Sequence, residues 1–127
     1  ILISLDFPLP APPSSDAYLR MIPRTEMDIA VVGAAVALTL DVSGVCTYAR
    51  VAIGAVAPAA LLVPAAADAL IGSKLDDAAL RRAAAAASKA ASPITDKRGT
   101  AEYRKKIVGV LVRRAAAIAK ARIEAQV

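Results

Sequence analysis

DIAVVGAAVALTLDVSGVCTYARVAIGAV, residues 28–56, decides the reading of this chain. Asp28 to Leu40 is apolar and rich in Val and Ala. Asp41-Val42-Ser43-Gly44 carries turn residues, and Val45 to Val56 is again β-branched and apolar. Two such runs around a short polar break predict a β-hairpin. In the second run Cys46, Tyr48 and Arg50 alternate with Val45, Thr47, Ala49 and Val51, but both sets are mostly apolar. A strand covered on both faces, or a sheet face set against another subunit, gives that pattern. Gly33 and Gly54 inside the strands point to close backbone approach or a bulge. Tyr18 to Ile22 reads as a third strand, ended near a sheet edge by Pro23.

Upstream, Ile1 to Leu5 is a short apolar stretch of strand character. It runs into Phe7-Pro8-Leu9-Pro10-Ala11-Pro12-Pro13-Ser14-Ser15, whose prolines forbid helix and central strand. Residues 1–15 therefore read as the end of a preceding segment plus a stiff tether. Residues 16–127 read as one domain, and a chain of 127 residues is long enough to bury a real core.

Downstream the character changes. Pro64 suits the first turn of a helix and Gly72 its end, predicting a short helix over Pro64 to Ile71. Asp76-Asp77 open a second, Ala-rich helix to about Ala91, with acidic residues matching the helix dipole and Pro93 stopping it. Thr100 caps a third, to about Arg122. Ile107, Leu111, Ala115 and Ile118 give that last helix an apolar stripe. Strands first and helices after predict an α+β fold: a three-stranded antiparallel sheet with three helices packed on one face.

Composition excludes several chemistries. There is no His, so neither a Ser-His-Asp nor a Cys-His nucleophile system exists within the chain. A single Cys forms no internal disulfide and supplies no zinc site; Cys46 reads as a small buried hydrophobe. Aromatics are 3% and about a quarter of the residues are Ala, so the core is built from small aliphatics. The longest uncharged run, Val51 to Ala67, falls short of a membrane span and contains Gly54, Pro58 and Pro64. Net charge is +5, all of it accounted for by the last helix, where Arg104, Lys105, Lys106, Arg113, Arg114, Lys120 and Arg122 face only Glu102 and Glu124. A solvated helix face is the favoured reading of these cations. The alternative is a stand-alone basic interaction module for an acidic protein or nucleic acid. Arg24 and Asp28, four residues apart, read as an ion pair at a strand start, which lowers the carboxyl pKa and argues against acid–base work. In Asp96 to Arg104, Asp96 can bond its own backbone and Gly99 can take a positive φ.

The motif Asp96-x-Arg98-Gly99-x-Ala101-x-Tyr103-Arg104 resembles the C-terminal domain of the FAD-binding medium subunit of molybdenum hydroxylases, the aerobic carbon monoxide dehydrogenase and xanthine dehydrogenase relatives. Three further stretches agree in order. They are Arg24 to Val32 (Arg…Asp before an apolar strand), Cys46 to Pro58, and Leu70-Ile71-Gly72 with Leu75. The Pro-rich start resembles the tether after the FAD domain. The resemblance implies a three-stranded antiparallel sheet covered by three helices. It also implies electron transfer inside a complex: from a molybdenum cofactor on a large subunit, through 2Fe-2S clusters on a small subunit, to FAD and an external acceptor. FAD would be held mainly by an N-terminal domain of the same subunit, in Gly-rich loops that this chain lacks. No activity is expected of the chain alone, a cytoplasmic complex is implied, and neither nucleic acid nor a membrane span is expected. Tyr18 stands where relatives place an aromatic near the flavin ring, and Arg20 where they often have Lys. Arg24, Asp28, Asp96, Arg98, Gly99, Tyr103 and Arg104 are assigned to fold and interface.

Overall fold

The computed structural model describes residues 1–7, 13–24 and 28–126. At its centre, β2 (Val32–Leu40) and β3 (Cys46–Gly54) form the antiparallel hairpin. Asp41 organises the turn. Its Oδ1 accepts from the N–H groups of Ser43 and Val45, each at 2.9 Å, and from the Ser43 hydroxyl at 2.7 Å. Gly44 takes the left-handed φ of +78° that closes it. β1 (Ser14–Met21) pairs with β2 along its whole length.

The sheet has four strands, not the expected three. β4 (Leu61–Leu62) pairs with Ile53 and Ala52 of β3, giving the order β1-β2-β3-β4. Two residues are too few to show alternation, so this strand is invisible in the uncharged run that contains it. The expected strand character of Ile1 to Leu5 is not realised, and Ile1, Leu2, Ile3 and Leu5 are exposed. Residues 8–12 of the tether, and residues 25–27 of the Arg24–Val32 stretch, lie outside the described residues.

The poor alternation in β3 has a local cause. The register shifts between Thr39, opposite Tyr48, and Leu40, opposite Cys46. This bulge leaves Thr47 unpaired and returns Cys46 to the inward side with Ala49, Val51 and Ile53. Among the described residues the sheet is thus covered on one face only.

α1 (Pro64–Asp68) begins at Pro64 as the proline predicts, but it is shorter than expected. Leu70 N–H bonds back to Ala67 and Ser73 N–H to Leu70, so the chain tightens into turns. Gly72, at φ +78°, then ends it. α2 (Asp77–Ala90) is capped by Asp76, whose carboxylate accepts from Ala79 N–H at 2.7 Å. α3 (Ala101–Glu124) is capped by Thr100 through Tyr103 N–H at 3.1 Å.

α3 lies across β1 and β2, α1 packs against β3, and α2 packs on α3 and α1. Val36, Leu38, Val51 and Ile53 of the sheet meet Val108, Leu111, Val112, Ala115 and Ala119 of α3 in one core. The second contact is closer still. Ala79, Ala83 and Ala87 are buried on α2, and a Cβ at Gly109 of α3 would stand 2.7 Å from Ser88 Oγ and 3.1 Å from the Ala84 carbonyl oxygen. Among the described residues no helix is long and apolar enough to cross a membrane.

Candidate functional site

The sheet parity that builds the core also builds an open face. Ala17 of β1, with Ala34, Val36 and Leu38 of β2, turns toward the helices and is buried. The opposite face carries Asp16, Tyr18 and Arg20 on β1, Gly33, Ala35 and Ala37 on β2, Tyr48, Arg50 and Ala52 on β3, and Leu62 on β4. Its floor is nearly free of side chains, because Gly33 pairs with Gly54 and Ala35 with Ala52. The Tyr18 ring lies across Gly33, where a Cβ would come within 3.1 Å of its hydroxyl oxygen. Tyr18 is nonetheless 63% exposed and Leu62 58%. A shallow depression runs between Tyr18, Arg50 and Leu62.

Tyr18 and Arg20, singled out from sequence, therefore share this face. Arg50, Tyr48, Leu62 and the glycine floor also belong to it and were not singled out. The signal available was parity: counting by two from Tyr18 and Arg50 gathers them. An exposed ring, two cations and a flat floor suit the edge of a planar, electron-rich group. They offer no nucleophile and no acid–base pair.

The motif at 96–104 forms a second constellation. Asp96 and Gly99 bond each other's backbones in a tight bridge, at 3.1 and 3.2 Å. Asp96 Oδ1 accepts from Arg98 N–H at 2.8 Å and from Arg104 at 2.5 Å. Arg104 is only 4% exposed. It donates from one nitrogen to the carbonyls of Val31 at 2.9 Å and Ala55 at 3.3 Å. Ala55 holds a left-handed φ of 60°, which carries the chain out of β3 beside the guanidinium. Asp28 pairs with Arg24 at 3.1 Å, as the spacing predicts, and stands 3.8 Å from Arg98. The Arg24 hydrogen bond and the Ile29 N–H hold the Asp28 carboxyl below its usual range. Asp96 is lowered by Arg98 N–H and Arg104. Carboxyls held ionised by guanidinium groups brace structure; they do not trade protons near neutrality.

One expectation is corrected here and one holds in the main. Gly99 does not use a positive φ, since only Gly44 and Gly72 do so among the described glycines. Its smallness matters instead, because a Cβ would crowd the Tyr103 ring at 3.3 Å. Of the basic set on the last helix, Lys105, Lys106, Arg113, Arg114 and Arg122 are exposed, as a solvated face requires, and Arg104 is the exception. Arg104 is buried, Arg113 reaches Asp77 at 3.2 Å, Lys120 lies 3.7 Å from Glu124, and Arg122 donates to the Asp16 carbonyl at 2.5 Å. Cys46 is buried as expected, and burial raises its thiol pKa.

A family model described as the CO dehydrogenase flavoprotein C-terminal domain matches residues 17–119. The chain belongs to that family. The carbon monoxide dehydrogenase medium chain of Afipia carboxidovorans is 40% identical over 115 residues, which is 90% of this chain and 40% of that one. Carbon monoxide dehydrogenase from Hydrogenophaga pseudoflava, solved in a form lacking the Mo-pyranopterin moiety of its molybdenum cofactor, superposes with a TM-score of 0.85. It is 36% identical and is matched over 91% of this chain and 39% of its own. Quinoline 2-oxidoreductase from Pseudomonas putida 86 superposes with a TM-score of 0.82 at 28% identity, over 91% of this chain and 40% of its own. The chain thus spans about two-fifths of the length of these relatives.

Proposed function

We propose that this chain is the C-terminal domain of the FAD-binding medium subunit of a molybdenum, iron–sulfur and flavin oxidoreductase. Its 40% identity to a carbon monoxide dehydrogenase medium chain over 90% of its length carries the reading. In such an assembly electrons leave a molybdenum cofactor on a large subunit, cross 2Fe-2S clusters on a small subunit and arrive at FAD, which passes them to an external acceptor. A preceding domain of the same subunit holds most of the FAD, and the residues before β1 (Ser14–Met21) are the end of a preceding segment and the tether from it.

The open sheet face supports a share in the flavin site. Tyr18 fits one edge of a planar conjugated ring, since its exposed face is braced from below by the Gly33 backbone. Arg20 stands beside it on the same strand and face. These residues fit the ring and not the phosphates: the sequence has no glycine-rich loop opening a helix. FAD, when bound, would supply the exchange between one-electron and two-electron carriers. The chain's own residues shield one side of the ring from water and hold positive charge near it. Relatives of this fold are named for carbon monoxide and for quinoline, so we place substrate choice on another subunit.

The test is the visible spectrum of the protein isolated natively through a tag on this chain. Flavin and iron–sulfur bands in the isolate are expected. A colourless lone polypeptide overturns the reading. The basic-module alternative is left with fewer free cations, because Arg104 is buried and Arg113 and Arg122 are engaged by Asp77 and the Asp16 carbonyl.

A further inference from the structure

β1 is an edge strand, with nothing paired to its outer side among the described residues. Leu40 N–H bonds to the Pro13 carbonyl at 3.1 Å, so the odd residues of β1 turn their backbone toward β2. The even residues turn theirs outward. Arg122 already uses one such group, the Asp16 carbonyl. The N–H and C=O groups of Tyr18 and Arg20 remain as an open ladder. Beside them a groove of about 720 Å³ runs between β1 and α3, walled by Leu19 and Met21 on the strand and by Ile107, Val110, Leu111 and Ile118 on the helix. Arg114 stands in the groove wall. Arg20 also lines the groove, although register sets its Cβ on the opposite face of the same edge. Neither has an ion-pair or hydrogen-bond partner among the described residues.

We propose that the open edge of β1 and the groove beside it dock an extended acidic segment of a partner polypeptide, added as a further strand of the sheet. Each part of the site selects for that occupant. The bare ladder takes an extended backbone and rejects a helix. The groove takes the alternate apolar side chains. Arg114 on one face and Arg20 on the other take carboxylates. A second copy of this chain fits poorly, since it brings a net +5 and the same two arginines against themselves.

The experiment uses the whole 127-residue chain and two synthetic peptides that share alternating Val positions. One has Glu and Thr between them, the other Lys and Thr. The readouts are amide hydrogen exchange and methyl shifts. The Glu peptide is expected to slow exchange at Tyr18 and Arg20 about tenfold at saturation and to shift the methyl signals of Ile107 and Ile118. Arg20→Gln, an exposed change on the face that the Glu side chains share, weakens it by about fivefold, the size of one rim charge contact. Arg20→Pro abolishes the protection while circular dichroism stays native, because that N–H makes no bond to β2. Failure to protect Tyr18 and Arg20 at millimolar peptide overturns the proposal, as does equal binding of the Lys peptide. So does protection that rises with protein concentration without peptide, the signature of self-pairing. Protection already present in the free chain, and lost when residues 1–7 are removed, also overturns it, because the chain's own exposed Ile1–Phe7 segment then fills the edge.

Discussion

Arg104 shows how far one residue's role can lie from its surface chemistry. It is a cation on a helix crowded with cations, yet it ties α3 to the start of β2, to the turn after β3 and to Asp96. Arg104→Met strands Asp96 and two carbonyls, and is expected to cost about 3 kcal/mol of stability by urea titration. Arg104→Lys keeps the charge but not the planar fork, and recovers less than half of that. The spacing held a clue, since Arg104 stands four residues before Val108 on the stripe that continues through Leu111 and Ala115. Its burial still depends on where β2 and β3 end, which no local pattern records. Asp28 and Asp96 give a pH signature. Both carboxyls sit below the ordinary 3.8 in the folded chain, so the folded state holds fewer protons than the unfolded one in acid. Their contribution is complete above about pH 5 and fades as pH falls through 3.8 to the lower folded values. Asp96→Asn should be less stable at pH 7 and show a shallower loss of stability between pH 4 and 2, measured by acid titration of ellipticity.

At the scale of elements, the hairpin and the three helices were legible because each carries its own punctuation. Asp41 and Gly44 close the hairpin, Asp76 and Thr100 cap helices, and Pro64 starts one. Thr100→Ala removes a cap bond and should cost about 1 kcal/mol by thermal or urea denaturation. What local signals missed were features made by pairing: the two-residue β4, and the bulge that turns Cys46 inward. The α2–α3 contact makes a prediction against propensity. In an isolated helix, Ala is better than Gly by about 1 kcal/mol. Here Gly109→Ala drives a methyl to 2.7 Å from Ser88 Oγ and 3.1 Å from the Ala84 carbonyl. It is expected to destabilise by about 1–3 kcal/mol as the helices are forced apart, and Ser88→Ala should recover part of that loss in the double variant.

For the whole molecule, one face of the sheet is closed by helices and the other is left for contact. The open face was half legible: Tyr18 and Arg20 were recognisable, but the register that sets Gly33 opposite Gly54 and lays them beside Tyr18 was not. Cys46 reports on the integrity of the closed side. It is buried at the start of β3, where its backbone bonds to the turn at Gly72 and Ser73, and its raised pKa keeps it a thiol. Labelling by a disulfide reagent at pH 8 should therefore follow the global opening rate measured by denaturant jump. Rapid labelling of the folded chain would show that the sheet opens locally at the bulge.

The small residues buried along α2 and α3 have a consequence for how this chain tolerates change. In most proteins, core positions fail when side chains are trimmed, because trimming leaves holes. At Ala79, Ala83, Ala87, Ala115, Ala116 and Ala119, all buried, there is almost nothing to trim. The danger runs the other way, toward any residue with a γ atom. A saturation library over these six sites should therefore retain Gly, Ser and Cys and lose Val, Leu and Phe, the reverse of the size preference of an aliphatic core. Lineages carrying this domain would drift freely on its surface while these buried helix positions stay confined to the smallest side chains.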